Sequence, residues 1–102
     1  MQIKWIEDFL ILTDAHAFSR AAERRNVSQP TFSRHIQALE DWLGVELIDR
    51  RMQGVHLTSA GRIFRSFAAD LLRRTYDMRN VLRGQSAGVP EAVRFAVAHT
   101  LS

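Results

Sequence analysis

Cysteine is absent from the 102 residues, so no disulfide, thiolate metal site or thiol nucleophile is available to the chain. Long apolar runs are absent as well, and nothing approaches the ~20 residues that cross a bilayer. The opening residues Met1-Gln2-Ile3-Lys4-Trp5 lack the apolar core and cleavage site of a secretory signal, which makes a cytoplasmic location the expectation. His16, His35, His56 and His99 are scattered, with no pair at i, i+4, and there is no glycine-rich phosphate loop. The constellation that catalysis needs is therefore missing, and no enzyme, metal site or cofactor is expected. Repeats and low-complexity segments are likewise missing. Lysine is nearly so: thirteen of the fourteen basic residues are arginine, which favours forked contacts to phosphates and base edges, although an arginine-rich genome gives the same bias.

What remains is enough for one modest core and too little for a deep catalytic cleft. Apolar residues at 46% and charged residues at 25% fit a folded domain and argue against disorder. The net charge of +3 is unevenly placed. Residues 1–57 carry seven basic and eight acidic side chains, whereas residues 58–83 carry six basic against Asp70 and Asp77. Global charge is thus weak support for a nucleic-acid partner, and the cluster from Arg20 to Arg34 is the better indication.

The most informative stretch is Ser28 to Glu40. Ser28 is a good N-cap, Pro30 suits a first turn, and Gly44 is a good stop. Phe32, Ile36, Leu39 and Leu43 are spaced four, three and four apart and form one buried stripe. Gln29, Pro30, Ser33, Arg34 and Gln37 gather on a separate flank at about 100° per residue. Amides and guanidinium forks suit base edges, and small hydroxyls suit phosphates. A recognition helix for double-stranded DNA and an ordinary solvated helix face are both consistent with this pattern, and the neighbouring elements have to decide between them.

Upstream, the rows Trp5-Phe9-Leu12 and Ile6-Leu10-Thr13 predict a core helix from Ile3, with Glu7, Asp8 and Asp14 off its apolar face. A short helix follows from about Phe18 to Arg25, where Ala21 and Ala22 permit a close helix crossing. Downstream, Val45 to Asp49 and Val55 to Leu57 predict a small hairpin, a wing that projects Arg50, Arg51, Met52 and Gln53 toward an adjacent minor groove. Thr58 caps a helix of roughly 25 residues, about 38 Å. Its Phe64, Ala68, Leu71, Thr75, Met78 and Leu82 alternate four and three apart as a heptad seam, with Ile63 and Phe67 beside it to face the N-terminal helices. A dimerisation helix is expected, with a core helix of a larger body as the alternative. A protein-interaction or membrane-surface module built on this helix is the remaining rival, and its mixed apolar seam and dispersed arginines suit a soluble dimer better. No membrane partner is expected. Gly84 to Pro90 reads as a linker, and Ala92 to Ala98 as the start of a buried strand.

These residues resemble the N-terminal part of LysR-type transcriptional regulators. The likeness rests on Phe18-Ser19-Arg20-Ala21-Ala22-Glu23, Val27-Ser28-Gln29-Pro30-Thr31-Phe32-Ser33-Arg34, Ile36, Leu39-Glu40, Leu43-Gly44-Val45, Leu47, Arg50, Gly54-Val55, Leu57-Thr58 and Gly61. It implies a mainly α winged helix-turn-helix over 1–58, a linker helix over 59–83 that pairs antiparallel in a homodimer, a hinge over 84–92, and over 93–102 the start of a truncated effector-binding domain. Carried over by position, Gln29, Pro30 and Ser33 face bases, Ser28, Thr31, Arg34 and Arg50 lie near phosphates or grooves, and Gln37 is a weaker candidate for readout. Arg51 and Gln53 belong to the wing.

Thr100 and Ser102 fall near the effector pocket, where a polar strand end has an equal structural reading. The resemblance further implies binding to an interrupted palindrome, tetramers as an option in the longer protein, and control by a small molecule or oxidant acting on a domain beyond this chain. Three positions depart from the pattern. Ala17 replaces a capping Ser, Arg25 stands where a core Leu is common and is expected to extend toward phosphate, and Gln53 replaces a wing-tip Arg, which weakens the minor-groove reading. Residues 95–102 and the segment Arg25-Asn26-Val27 resemble hypochlorite-responsive members.

Overall fold

In the computed structural model, residues 1–84 are described. The chain forms two compact units, Met1–Leu72 and a second beginning at Arg73. Four helices are present among the described residues: α1 (Ile3–Ala15), α2 (Phe18–Arg24), α3 (Gln29–Leu43) and α4 (Ser59–Gly84). The expected hinge after Gly84, the strand over 93–102, and Thr100 and Ser102 lie outside the described residues.

In the first unit α1, α2 and α3 each pack against the other two. Phe9, Leu12, Ala21, Phe32, Ile36 and Leu39 are fully buried between them. Each fully buried large apolar side chain contributes about 1.5–3 kcal/mol of transfer free energy. Phe18 meets Phe32 edge-on, with ring centroids 6.1 Å apart. The turns between these helices use left-handed residues that are not glycine. His16 (φ 59°) ends α1 and donates its N–H to the Leu12 carbonyl, and Asn26 (φ 56°) follows α2. Ala17 provides no side-chain cap for α2, as its replacement of Ser implies.

The N-terminus of α3 is built as the sequence predicts. Ser28 Oγ accepts from the Thr31 N–H at 3.3 Å, Pro30 sits in the first turn, and Gly44 closes the helix at φ 77° with its N–H on the Glu40 carbonyl. Without a side chain, Gly44 adopts this left-handed cap at little steric cost.

The expected hairpin is reduced to a single antiparallel bridge, Ile48 to Leu57. Two backbone bonds flank it, Asp49 N–H to His56 O at 2.8 Å and Thr58 N–H to Leu47 O at 3.0 Å. The wing is present but does not become a pair of strands: the Leu47 N–H, which would extend the ladder to the Thr58 carbonyl, goes to the side chain of Glu40, and that carbonyl accepts from the Arg62 N–H. Helix α4 then starts tight against the wing's base. Thr58 Oγ1 accepts from the Gly61 N–H at 2.9 Å and donates to the Glu46 carbonyl at 2.6 Å. A Cβ on Gly61 would stand 2.1 Å from the Leu47 carbonyl oxygen, so only glycine permits this approach.

Placing Gly61 against the wing fixes which side of α4 faces inward. Phe64 and Ala68 follow it at spacings of three and four; Phe64 meets Phe9 edge-on at 5.3 Å and Ala68 is fully buried. Phe64 and Ala68, the first two members of the expected dimer seam, thus pack in the core of their own unit. Ile63 and Phe67, expected to face the N-terminal helices, are instead 60% and 68% exposed. Periodicity identified two apolar rows on α4, and the close contact at Gly61 decided which one turned inward.

Candidate nucleic-acid interface

The outward flank of α3 carries the predicted polar set. Gln29, Pro30, Arg34 and Gln37 are exposed, while Thr31 and Ser33 are half-buried. At the first turn Ser28 Oγ donates to Thr31 Oγ1 at 2.9 Å, and Arg34 Nη2 donates to the same oxygen at 3.2 Å. Two hydroxyls and a guanidinium thus form one chain beside the exposed amide of Gln29. The structure brings together Ser28, Gln29, Pro30, Thr31, Ser33, Arg34 and Gln37 on one element held by a packed core.

The wing residues are placed differently. Arg50 forks onto Glu40, with Nη1 3.1 Å from Oε2 and Nη2 2.9 Å from Oε1. It is 47% exposed, whereas the Glu40 side chain is 6% exposed. Arg50 therefore serves first as the counter-ion of a buried carboxylate. Arg51 is bound bidentately by Asp49, at 2.9 and 3.0 Å, and donates its N–H to the same carboxylate at 3.1 Å. The Arg51 side-chain bond, reinforced by its backbone N–H, holds the Asp49 carboxyl below the usual carboxylate range. Asp49 in turn raises the guanidinium of Arg51. Gln53 is exposed, and its carbonyl accepts from His56 Nε2 at 2.8 Å.

Two acidic side chains that sequence reasoning left without a role turn out to be central. Asp8, expected off the apolar face of α1, has its side chain 2% exposed. It accepts from Arg25 Nε at 2.6 Å and from His35 Nδ1–H at 2.7 Å. Arg25 therefore points to α1 and not toward phosphate; its Nη2 also lies 3.7 Å from Glu7 Oε1. The signal was present in the sequence. Asp8 lies three residues after Trp5 and four before Leu12, at the edge of the apolar row, and the unusual Arg25 supplies its partner. Glu40 is the second: its carboxylate accepts the N–H groups of Leu47 and Ile48 at 2.7 and 3.2 Å.

Among the described residues no group of three His, Asp or Glu is placed to hold a metal ion. Nor is any helix among them long and apolar enough to cross a membrane.

Residues 3–62 match the family described as bacterial regulatory helix-turn-helix protein, lysR family. The chain belongs to the LysR family. The HTH-type transcriptional regulator YjiE of Escherichia coli (strain K12) is 43% identical over 102 residues, covering 100% of this chain and 34% of that protein. Among solved structures, DarR of Vibrio fischeri in complex with DNA is 43% identical, with a TM-score of 0.81 over 84% of this chain and 30% of that one. Full-length HypT of Salmonella typhimurium, described as a hypochlorite-specific LysR-type transcriptional regulator, is 46% identical; its TM-score is 0.79 over 84% of this chain and 29% of that one. The chain spans about a third of the length of the curated relatives it matches first. Against these LysR-family DNA-binding domains, the three helices and bridge of the first unit are a winged helix-turn-helix.

Proposed function

We propose that this chain is the DNA-reading part of a transcriptional regulator, not an enzyme, and that α3 enters the major groove with Gln29, Pro30, Ser33 and Arg34 against the bases and phosphates and Gln37 at the edge of the readout. The observation that carries it is the exposed amide, hydroxyl and guanidinium flank of a helix whose other side is packed by Phe32, Ile36 and Leu39. Polar groups held on a rigid helix can meet base edges at the cost of side-chain freedom alone, with no backbone left to order. The DNA complex of the similar DarR supports the reading. Arg50 and Arg51 reach phosphate only by sharing their carboxylate partners, so the wing contributes less than α3 does.

The protein acts as a homodimer in this proposal, and two copies of α3 read an interrupted palindrome. The self-association residues on α4 are revised from the heptad seam: Ile63 and Phe67 replace the core residues Phe64 and Ala68 in the first unit. Leu71 is 41% exposed there, while in the second unit Met78 and Leu82 are exposed and Thr75 is half-buried. Residues 59–83 serve as the linker helix, and control comes from an effector domain outside the described residues. The similarity to HypT supports an oxidant as the effector class, and a DNA-reading role places the protein in the cytoplasm.

Selection of bound sequences from random duplex DNA at near-physiological salt tests the reading. An enriched two-fold motif with half-sites about 34 Å apart, one helical turn, is the expected result. Binding without enrichment, or no binding, overturns it.

A further inference from the structure

We propose that His35 and Asp8 are positioning residues for DNA readout, fixing the roll of α3 so that its reading flank is correctly aimed. The inference rests on the DNA-reading function proposed above. Three elements meet at one buried carboxylate. Asp8 comes from α1, Arg25 from the turn of the helix-turn-helix, and His35 from α3 itself, at 2.6 and 2.7 Å. The Asp8 side chain is 2% exposed, and those of Arg25 and His35 are 26% and 19% exposed.

The position of His35 around α3 gives this cluster its meaning. At about 100° per residue, Phe32, Ile36, Leu39 and Leu43 span one arc of the helix. His35 lies on one shoulder of that arc and Glu40 on the other, about 140° away. His35 is tied to α1 through Asp8, and Glu40 is tied to the wing through the Leu47 and Ile48 N–H groups and Arg50. Pro30, Arg34 and Gln37 occupy the opposite arc, between the two anchored shoulders and away from the core.

The transfer free energy of apolar burial is non-directional and does not by itself specify the roll. Short hydrogen bonds at both shoulders are directional and resist a small change in it strongly. A roll of about 10° moves a group about 6 Å from the helix axis by about 1 Å. Hydrogen-bond lengths span only about half an ångström, so a displacement of that size breaks a base contact. A buried ionic cluster adds little to net stability compared with apolar packing, and its best-attested role is to fix register. Asp8 with Arg25 and His35 fits that role, placed one residue from Arg34 and two from Ser33 and Gln37.

The test compares His35→Ala with His35→Asn in the whole chain. Asparagine places Nδ2 where histidine has Nδ1, so it restores the donor to Asp8 without the ring. Affinity is measured by fluorescence anisotropy on the duplex enriched by the wild-type chain and on a scrambled duplex of equal length, well below the melting temperature of each variant. His35→Ala is expected to weaken binding to the enriched duplex about tenfold, the value of one lost bidentate pair, and to leave the scrambled duplex and the salt slope unchanged. His35→Asn is expected to recover most of the discrimination, and Asp8→Asn to lose it.

A purely stabilising role would lower the melting temperature and leave the ratio of the two affinities alone, which overturns the inference. Equal losses on both duplexes, or a salt slope reduced by about one as for a lost phosphate contact, overturn it as well. If His35→Ala does not fold, His35→Leu fills the site without a donor and is read by the same ratio. If the wild-type chain enriches no duplex, it is the DNA-reading function itself that fails.

Discussion

Glu40 is the side chain whose removal has the most legible cost. Its carboxylate is 6% exposed and receives two backbone N–H groups and both arms of Arg50. In Glu40→Gln the shape is kept and the charge is lost. If the amide oxygen keeps the Leu47 and Ile48 N–H groups, its NH2 meets the Arg50 guanidinium donor to donor. Turning two charge-assisted bonds into neutral ones costs about 1–1.5 kcal/mol in total, since charged acceptors are roughly twice as strong. Losing the fork adds about 0.5–1 kcal/mol, discounted because Arg50 is half in water.

The sum is about 2 kcal/mol, which for a domain of this size lowers the melting temperature by about 8–16 °C. Glu40→Ala strands two buried N–H groups and is expected to cost more, about 3–4 kcal/mol. Arg50→Ala is expected to cost only about 1 kcal/mol, because Glu40 keeps its backbone donors. Thermal melts followed by circular dichroism at neutral pH give all three values. A Gln variant melting within about 3 °C of the parent, or an Arg50 variant worse than the Glu40 variants, would rule out the Glu40 carboxylate as the anchor of the wing.

Further expectations concern the wing and α4. Gly61→Ala should destabilise by about 1–3 kcal/mol despite the usual helical gain of alanine over glycine, because its Cβ meets the Leu47 carbonyl oxygen; a raised melting temperature would contradict this packing. Phe64→Ala should cost about 2–3 kcal/mol by emptying the contact with Phe9. Phe67→Ala should leave stability within about 0.5 kcal/mol and weaken self-association in sedimentation, and the opposite ranking would restore the heptad seam. The Asp49 carboxyl is held below its ordinary value of 3.8 by Arg51. A depressed folded-state value means that the tie is present above 3.8 and lost as pH falls through the lowered value. Carboxyl-carbon NMR of Asp49 should show a midpoint below 3.8 that moves up in Arg51→Ala; an unchanged midpoint would remove Arg51 as the cause.

Helix α3 was legible in the sequence because its signals agree: Ser28 caps it, Gly44 ends it, and Phe32, Ile36 and Leu39 recur at helical spacing. What was hidden depends on contacts between elements. Asp8 looks solvent-facing when charge alone is read, and only its position between Trp5 and Leu12 reveals that burial needs a partner. That partner is Arg25, seventeen residues away, and no local pattern connects the two. The wing falls short of a hairpin because Glu40 takes the Leu47 N–H and Arg62 takes the Thr58 carbonyl, the two groups that would extend the ladder. On α4, two apolar rows have the same period, and the inward one is chosen by the missing side chain of Gly61.

The most direct test of α3 as the reading element is a second selection from random duplex DNA, carried out with Gln29→Ala and compared base by base with the motif of the wild-type chain. A bidentate amide reads one base pair, so preference is expected to relax at one position per half-site by about 1–3 kcal/mol, with the remaining positions and the binding to scrambled DNA unchanged. An identical motif, or a uniform loss at every position, would contradict the claim that the exposed flank of α3 reads sequence.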